Sequence, residues 1–354
     1  MRDKILVVGG YGAVGQVICD ELGNKFPGKV VAAGRSYQKA KQFSLKTNGK
    51  VLPRAFDVSS EKDLDENLED ISLVVMSLDQ KNTKFIETCI KTGIHYIDIT
   101  ASYSFLKLIE KLDDKAKNSE STVVLSVGIA PGLTNLLVKH SKSQFDSIDI
   151  ADIFIMLGLG DKHGKAAVEW TIDNINTEFN IIENGSLKKV KSFEDGKKTE
   201  FPANLGKRTA FRFDFNDQHV VPKTLGVKSS STRLCFDSTF FTHTFAGLKK
   251  IGFFNLLKIN LFRKGFIKIF ENFHWGSDIF IAKVDAIGTK NKKVKKYECS
   301  LSGRKEGITT GKVAAIVAEY LYQKDFPYGV YHIEQLFEPD EIIGSLGKDL
   351  KVYF

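Results

Sequence analysis

The chain has 354 residues, 42% of them hydrophobic and 27% charged, and a formal net charge of +8. That length predicts two domains with ample material for a core, and the composition is that of an ordinary soluble chain. The basic residues are spread out except at 188–198 and 290–296, which read as solvated turns; no nucleic-acid motif accompanies them, so no nucleic-acid partner is expected.

Cys19, Cys89, Cys235 and Cys299 form no C-x-x-C pair, so neither zinc nor a redox dithiol is indicated and no metal site is expected. The sequence runs straight into its first strand, leaving no room for a signal peptide, and no apolar stretch is long enough to span a bilayer. A cytoplasmic protein with reduced thiols is the expectation.

Ile5 to Val8 is a β-branched apolar run that suits a strand buried on both faces. Gly10, Gly12 and Gly15 then fit G-x-G-x-x-G, and Gly9, Gly12 and Gly15 fit an alternative register. Val14, Val17, Ile18 and Leu22 recur at helical period, so a helix opens at the glycines. This strand–glycine–helix order is the context a dinucleotide site requires: glycines for the turn and close approach, main-chain N–H groups and the helix dipole for the phosphates. The second strand, 30–33, ends in Gly34-Arg35-Ser36. An NAD-preferring site usually places an acid there for the ribose 2′-hydroxyl. Arg35 and Ser36 instead offer a cation and a hydroxyl to a 2′-phosphate, so NADP is predicted over NAD.

Strands are predicted at 50–56, 71–76, 95–99 and 122–127. Helices are predicted near 38–46, 61–68, 83–91, 106–117 and 133–140. Short connections between alternating elements mean a parallel, doubly wound sheet. Ligands bind such sheets at the carboxyl ends of the strands, a rule that gathers Gly9 to Gly15, Arg35, Asp57, Ser77 and Asp98. Asp57 and Val58 offer polar groups to the adenine, or Asp57 merely starts a turn before Ser59. Ser77 and Leu78 fall beside the pyrophosphate or nicotinamide ribose.

From about residue 150 the pattern becomes strand-rich: 150–157, 187–193, 211–215, 230–235, 279–286 and 297–301, with a helix at 166–175. A largely antiparallel second domain is predicted, followed by an amphipathic helix at 309–322. Segment 246–273 mixes phenylalanine, leucine and isoleucine with lysine and arginine. It reads either as a basic amphipathic surface lying on a membrane or as a lid or dimer contact that buries its apolar face in protein; the second is favoured.

Three words in the chain, Gly9-Gly10-Tyr11-Gly12-Ala13-Val14-Gly15, Gly93-Ile94-His95-Tyr96-Ile97-Asp98 and Gly128-Ile129-Ala130-Pro131-Gly132-Leu133-Thr134-Asn135, resemble the saccharopine dehydrogenase-like oxidoreductases. The likeness continues through Gly164 and Trp170-Thr171 and faintly into Gly329-Val330 and Glu334. It implies an NADP-linked Rossmann-type α/β domain at 1–140 and about 305–354. An inserted α+β domain for substrate binding and dimerisation would occupy about 141–304. It also implies a homodimer and reduction of an imine or carbonyl in a small-molecule substrate, or oxidation of the corresponding amine. In saccharopine-forming members an acid precedes the Pro-Gly of the third word, and a cysteine stands on the first strand of the second domain. Here Ala130 and Leu157 take those places, so saccharopine itself is not the expected substrate, while Tyr103 keeps the tyrosine after the fifth strand.

Hydride transfer needs a proton donor beside the nicotinamide. Tyr103 and His163 are the donors by position, and Asp98 is a candidate to bind an amine or orient a water. Arg212, Arg233 and Arg304 are candidates to clamp a carboxylate; Arg233 is preferred for its place on an alternating strand, and Trp170 joins it through the resemblance. Two alternatives stay open: a membrane-associated reductase of lipid-like substrates, and an NADP-binding module without catalysis.

Overall fold

The computed structural model describes residues 2–60, 64–161, 165–272 and 276–354. They form two compact units, residues 1–128 with 310–345 and residues 129–309 with 346–354. The first unit thus ends at Gly128, ahead of the expected 140, and the last nine residues belong to the second unit.

In the first unit the strands are β1 (Lys4–Val8), β2 (Val30–Gly34), β3 (Val51–Ala55), β4 (Ile71–Met76), β5 (His95–Asp98) and β6 (Thr122–Leu125). Helices α1 (Ala13–Lys25), α2 (Tyr37–Lys46), α3 (Leu64–Leu68), α4 (Lys84–Lys91), α5 (Tyr103–Glu110) and α6 (Asp113–Asn118) connect them. A returning strand, Gly329–His332, pairs with β6 and completes a seven-stranded sheet in the order 329–332, β6, β5, β4, β1, β2, β3. Every pairing is parallel, as the alternating pattern predicts. Ile5 to Val8 are fully buried, which accounts for a continuous apolar run with no polar face.

The chain passes from β3 on one side of β1 to β4 on the other. That reversal opens a crevice beyond the carboxyl ends of β1 and β4, where a doubly wound sheet takes its ligand. Register aligns those ends: Val8 pairs with Ala33 and Met76, Gly34 with Ala55, and Met76 with Asp98. The single helix expected over 106–117 is two, α5 and α6. Asp113 opens the second of them and accepts a hydrogen bond from the N–H of Val330 at 2.9 Å, which ties that break to the edge strand.

The second unit begins with α7 (Thr134–Lys142) and β7 (Ser147–Leu157), then α8 (Lys165–Asn174), β8 (Glu178–Glu183), β9 (Ser186–Lys191), β10 (Lys197–Phe201) and β11 (Gly206–Arg212). It continues with α9 (Asp217–Leu225), β12 (Ser229–Phe236), α10 (Thr239–Lys250), α11 (Asn260–Asn272), β13 (Ile279–Lys290) and β14 (Lys293–Arg304). A seven-stranded sheet runs β10, β11, β12, β7, β13, β14 and then Leu350–Tyr353. Its pairings are antiparallel except the parallel β12–β7.

One element here departs from the sequence reading for a physical reason, and another carries an unusual residue. β10 is lysine-rich and reads as a polar turn, yet Thr199 and Phe201 point inward while Lys198 and Glu200 face solvent, the period-2 pattern of a half-buried strand. α9 contains Pro222, a residue that ordinarily interrupts a helix interior.

Candidate functional site

The turn between β1 and α1 is built from main chain. Gly9 has φ +81°, a conformation that L side chains rarely adopt, and a Cβ there would sit 2.6 Å from Ser77 Oγ. A Cβ on Gly15 would lie 2.1 Å from the Gly9 carbonyl oxygen, so only glycine lets α1 seat against the turn. Gly9 therefore makes the bend and Gly15 the helix packing, and both glycine registers legible in the sequence are in use. The N–H of Gly12 donates to Gly9 O at 2.8 Å, and Gly12, Ala13 and Val14 form the accessible opening of α1. The N–H groups of a first helical turn lack intrahelical acceptors and face outward along the axis, which suits this opening to an anion such as a phosphate.

Tyr11 has a second role that its place in the glycine word did not reveal. Its ring covers Gly34, where a Cβ would fall 2.6 Å from the phenol oxygen, and that oxygen accepts the N–H of Ser36 at 3.0 Å. The side chain of Gln16 donates to Tyr11 O at 2.8 Å. The absence of a side chain at Gly34 thus leaves room for an aromatic strut between the phosphate turn and the end of β2.

Arg35 is exposed just beyond β2. Asp57 is exposed at the end of the neighbouring β3 segment, and its carboxylate accepts from the N–H of Ser59 at 2.9 Å and the Ser59 hydroxyl at 2.7 Å. Those bonds, with a smaller contribution from Arg35, hold its carboxyl below the usual range. Asp57 therefore takes the turn role that was its alternative reading; Val58 packs against the core of the first unit. Ser36 caps α2, accepting the N–H of Lys39 at 3.4 Å.

Ser77 lies against Gly9 of the turn. Its hydroxyl donates to Val8 O at 2.7 Å and its N–H to the same oxygen at 3.0 Å, so it braces β4 to β1 and its proton is committed to the main chain. Leu78, exposed beside Gly9, supplies an apolar wall.

Asp98 closes the row at the end of β5 and is buried. It accepts from Thr100 N–H at 2.8 Å, the Tyr96 hydroxyl at 3.0 Å and Gln80 Nε2 at 3.2 Å; Gln80 Nε2 also lies 2.6 Å from the Tyr96 oxygen. Burial raises the Asp98 carboxyl to about 7 against the pull of those donors, and burial pushes the Tyr96 phenol up as well. A carboxyl poised there holds or releases a proton near neutrality. Tyr96 and Gln80 were not predicted as site residues. The available signal was Tyr96 two residues before Asp98, on the same strand face. Tyr103 opens α5 directly after this segment and is half-buried. His163 lies outside the described residues.

In the second unit, Arg233 is 4% exposed. Its guanidinium bonds Asp152 at 3.0 Å and Asp195 at 3.2 Å, and Arg212 also bonds Asp195, at 2.6 Å. The expectation that Arg233 clamps a substrate carboxylate is corrected: the chain's own carboxylates occupy its forks. Arg212 is likewise engaged and buried, and Arg304 pairs with Asp278 at 3.0 Å. Trp170 packs edge-on to Phe213 at 5.4 Å and against Phe215 at 5.3 Å, a partly buried aromatic cluster. At the third glycine word, Asn135 accepts from Gly132 N–H at 3.2 Å and so stabilises the turn before α7 rather than capping the helix itself. Ala130, at the place of the family's acid, has a methyl group that transfers no proton.

Residues 5–124 match the family model described as the saccharopine dehydrogenase NADP binding domain. Among solved structures the chain is similar to apo saccharopine dehydrogenase (L-Glu forming) from Saccharomyces cerevisiae. Identity is 12%, the TM-score is 0.70, and 99% of this chain and 100% of that one are covered. It is also similar to the DAP dehydrogenase of C. glutamicum at 11% identity and a TM-score of 0.46, covering 98% of each chain. At such identities the first likeness speaks to the fold alone. The family match supports NADP binding by residues 5–124.

Proposed function

Starting from an NADP-binding domain of that family, we propose that this protein is an NADP-dependent oxidoreductase that reduces the C=N bond of an imine, or a carbonyl, in a small-molecule substrate other than saccharopine. The observation that carries the reading is the crevice edge of the first unit. A main-chain phosphate cradle at Gly9 to Gly15, an exposed Arg35 where an NAD site would hold an acid, and a proton-holding Asp98 stand on one aligned row of strand ends. The cofactor supplies or accepts a hydride; the chain's own task is to bind, orient and manage one proton.

In this reading the cradle takes the diphosphate, Arg35 and the Ser36 hydroxyl take the 2′-phosphate, and Leu78 gives an apolar surface beside the turn. Asp98 is buried behind these groups, so it acts as a positioning and proton-holding residue, while Tyr103 is the half-exposed candidate donor. Ala130 and Leu157 remove two groups associated with saccharopine chemistry, which supports a different substrate.

Calorimetric titration with NADPH and NADH, followed by a panel of amine–keto-acid mixtures and carbonyl compounds monitored by loss of NADPH absorbance, tests the proposal. Tight NADPH binding with turnover of at least one imine or carbonyl is expected. Binding without turnover anywhere on the panel would make the protein a cofactor-binding module, and no binding would end the oxidoreductase reading.

A further inference from the structure

We infer that the segment linking α10 to α11 is a membrane-docking surface that takes an anionic lipid bilayer. Between those helices lies a short 3-10 helix, Phe253–Lys258. Four of the apolar side chains here do what a buried contact would do. Phe254 is 1% exposed, Ile267 packs with Val168 and Ile172 of α8, and Leu257 and Phe266 lean on the same cluster.

Six others do not. Ile251, Phe253, Leu256, Ile259, Leu261 and Phe262 are exposed. They make up six of the sixteen exposed large hydrophobic side chains among the described residues, within twelve consecutive positions. Scattered single apolar residues need no explanation, but a concentration of this kind marks an interaction surface.

Charge selects the occupant. Residues 249–268 contain six lysines and arginines and no aspartate or glutamate. Arg263 is held by Asp173 at 2.8 Å, while Lys250, Lys258 and Lys264 are exposed around the apolar tip. A second copy meeting this face by two-fold symmetry would set these lysines against their own counterparts. A bilayer bearing anionic headgroups complements them and receives the apolar chains in its interface. Docking of this kind is peripheral: no helix among the described residues is long and apolar enough to cross a membrane.

Co-sedimentation of the full chain with phosphatidylcholine vesicles, with and without phosphatidylserine, tests this at low and high salt. Pelleting with the phosphatidylserine vesicles, weakened by salt, is expected. Lys258→Ala with Lys264→Ala should weaken partition about fivefold per lysine. Leu261→Asp with Phe262→Asp should abolish it, and circular-dichroism melting should be unchanged in both variants, which shows that they fold. No pelleting with either vesicle, equal pelleting with both, or binding indifferent to the variants would overturn the inference. So would a dimer seen by sedimentation velocity that Leu261→Asp with Phe262→Asp dissociates, because the occupant would then be a second copy.

Discussion

Arg35 in the first unit and Arg233 in the second are both arginines that the sequence offers as anion receptors, and the fold treats them oppositely. Arg35 stands exposed past the end of β2, with only a minor electrostatic influence from Asp57. Arg233 sits in the face of a sheet, bonded to Asp152 and Asp195. A guanidinium is a receptor only while its fork is open; once buried, it must be neutralised by its own chain because an unpaired charge cannot be left there. The first unit leaves its cation exposed, as the proposed 2′-phosphate contact requires, and the second uses its cation to hold strands together.

Removing Arg233 should therefore be felt in stability. Arg233→Ala leaves Asp152 buried with less compensation and is expected to cost about 3 kcal/mol, without altering NADPH affinity. Trp170 lies in the second unit, packed against Phe213 and Phe215. Tryptophan fluorescence in urea thus reports the second unit directly. A lost NADPH affinity with unchanged urea midpoint would break the contrast.

Asp98 falls between the two cases, buried yet near its titration point. Its folded carboxyl titrates at about 7, above the ordinary 3.8, so the folded state binds the extra proton between those values. The contribution is fully present below about pH 4 and is lost as pH rises to about 7, a change of a few kcal/mol. Asp98→Asn should flatten that slope in a series of melting temperatures from pH 4 to 8. An unchanged slope would remove Asp98 as the proton holder.

Arg35→Ala should leave the melting temperature alone and weaken NADPH about tenfold, or ~1.4 kcal/mol, while NADH affinity stays level. Parallel calorimetric titrations give the ratio directly, and equal losses for both cofactors would deny Arg35 its role. The smallest effect belongs to Tyr11→Phe. Loss of its bond with Ser36 N–H should cost about 1 kcal/mol, read as a modest drop in melting temperature with a smaller loss of NADPH affinity.

The doubly wound sheet, its cofactor turn and the NADP preference were legible because each rests on local signals: a buried-type apolar run, glycines at fixed spacing, a helical period, and one residue at a strand end. The place of Asp98 at the end of the fifth strand was legible for the same reason. Its elevated titration point was not, since burial depends on the fold around Asp98, with Gln80 arriving from a separate stretch of chain to join Tyr96 and Thr100 beside it. The split of 106–117 into two helices was hidden too, because Val330, more than two hundred residues away, meets Asp113 at the break.

By itself the sequence determined what short-range sterics and periodicity determine: which strands are buried on both faces, where the backbone must be glycine, and that no acid closes the second strand. The tertiary structure decided which charges are free. Arg35 and Arg233 are the same side chain, and the placement of distant carboxylates, two of them folded onto Arg233 and, among the described residues, none bonded to Arg35, separates an exposed guanidinium from a structural ion pair.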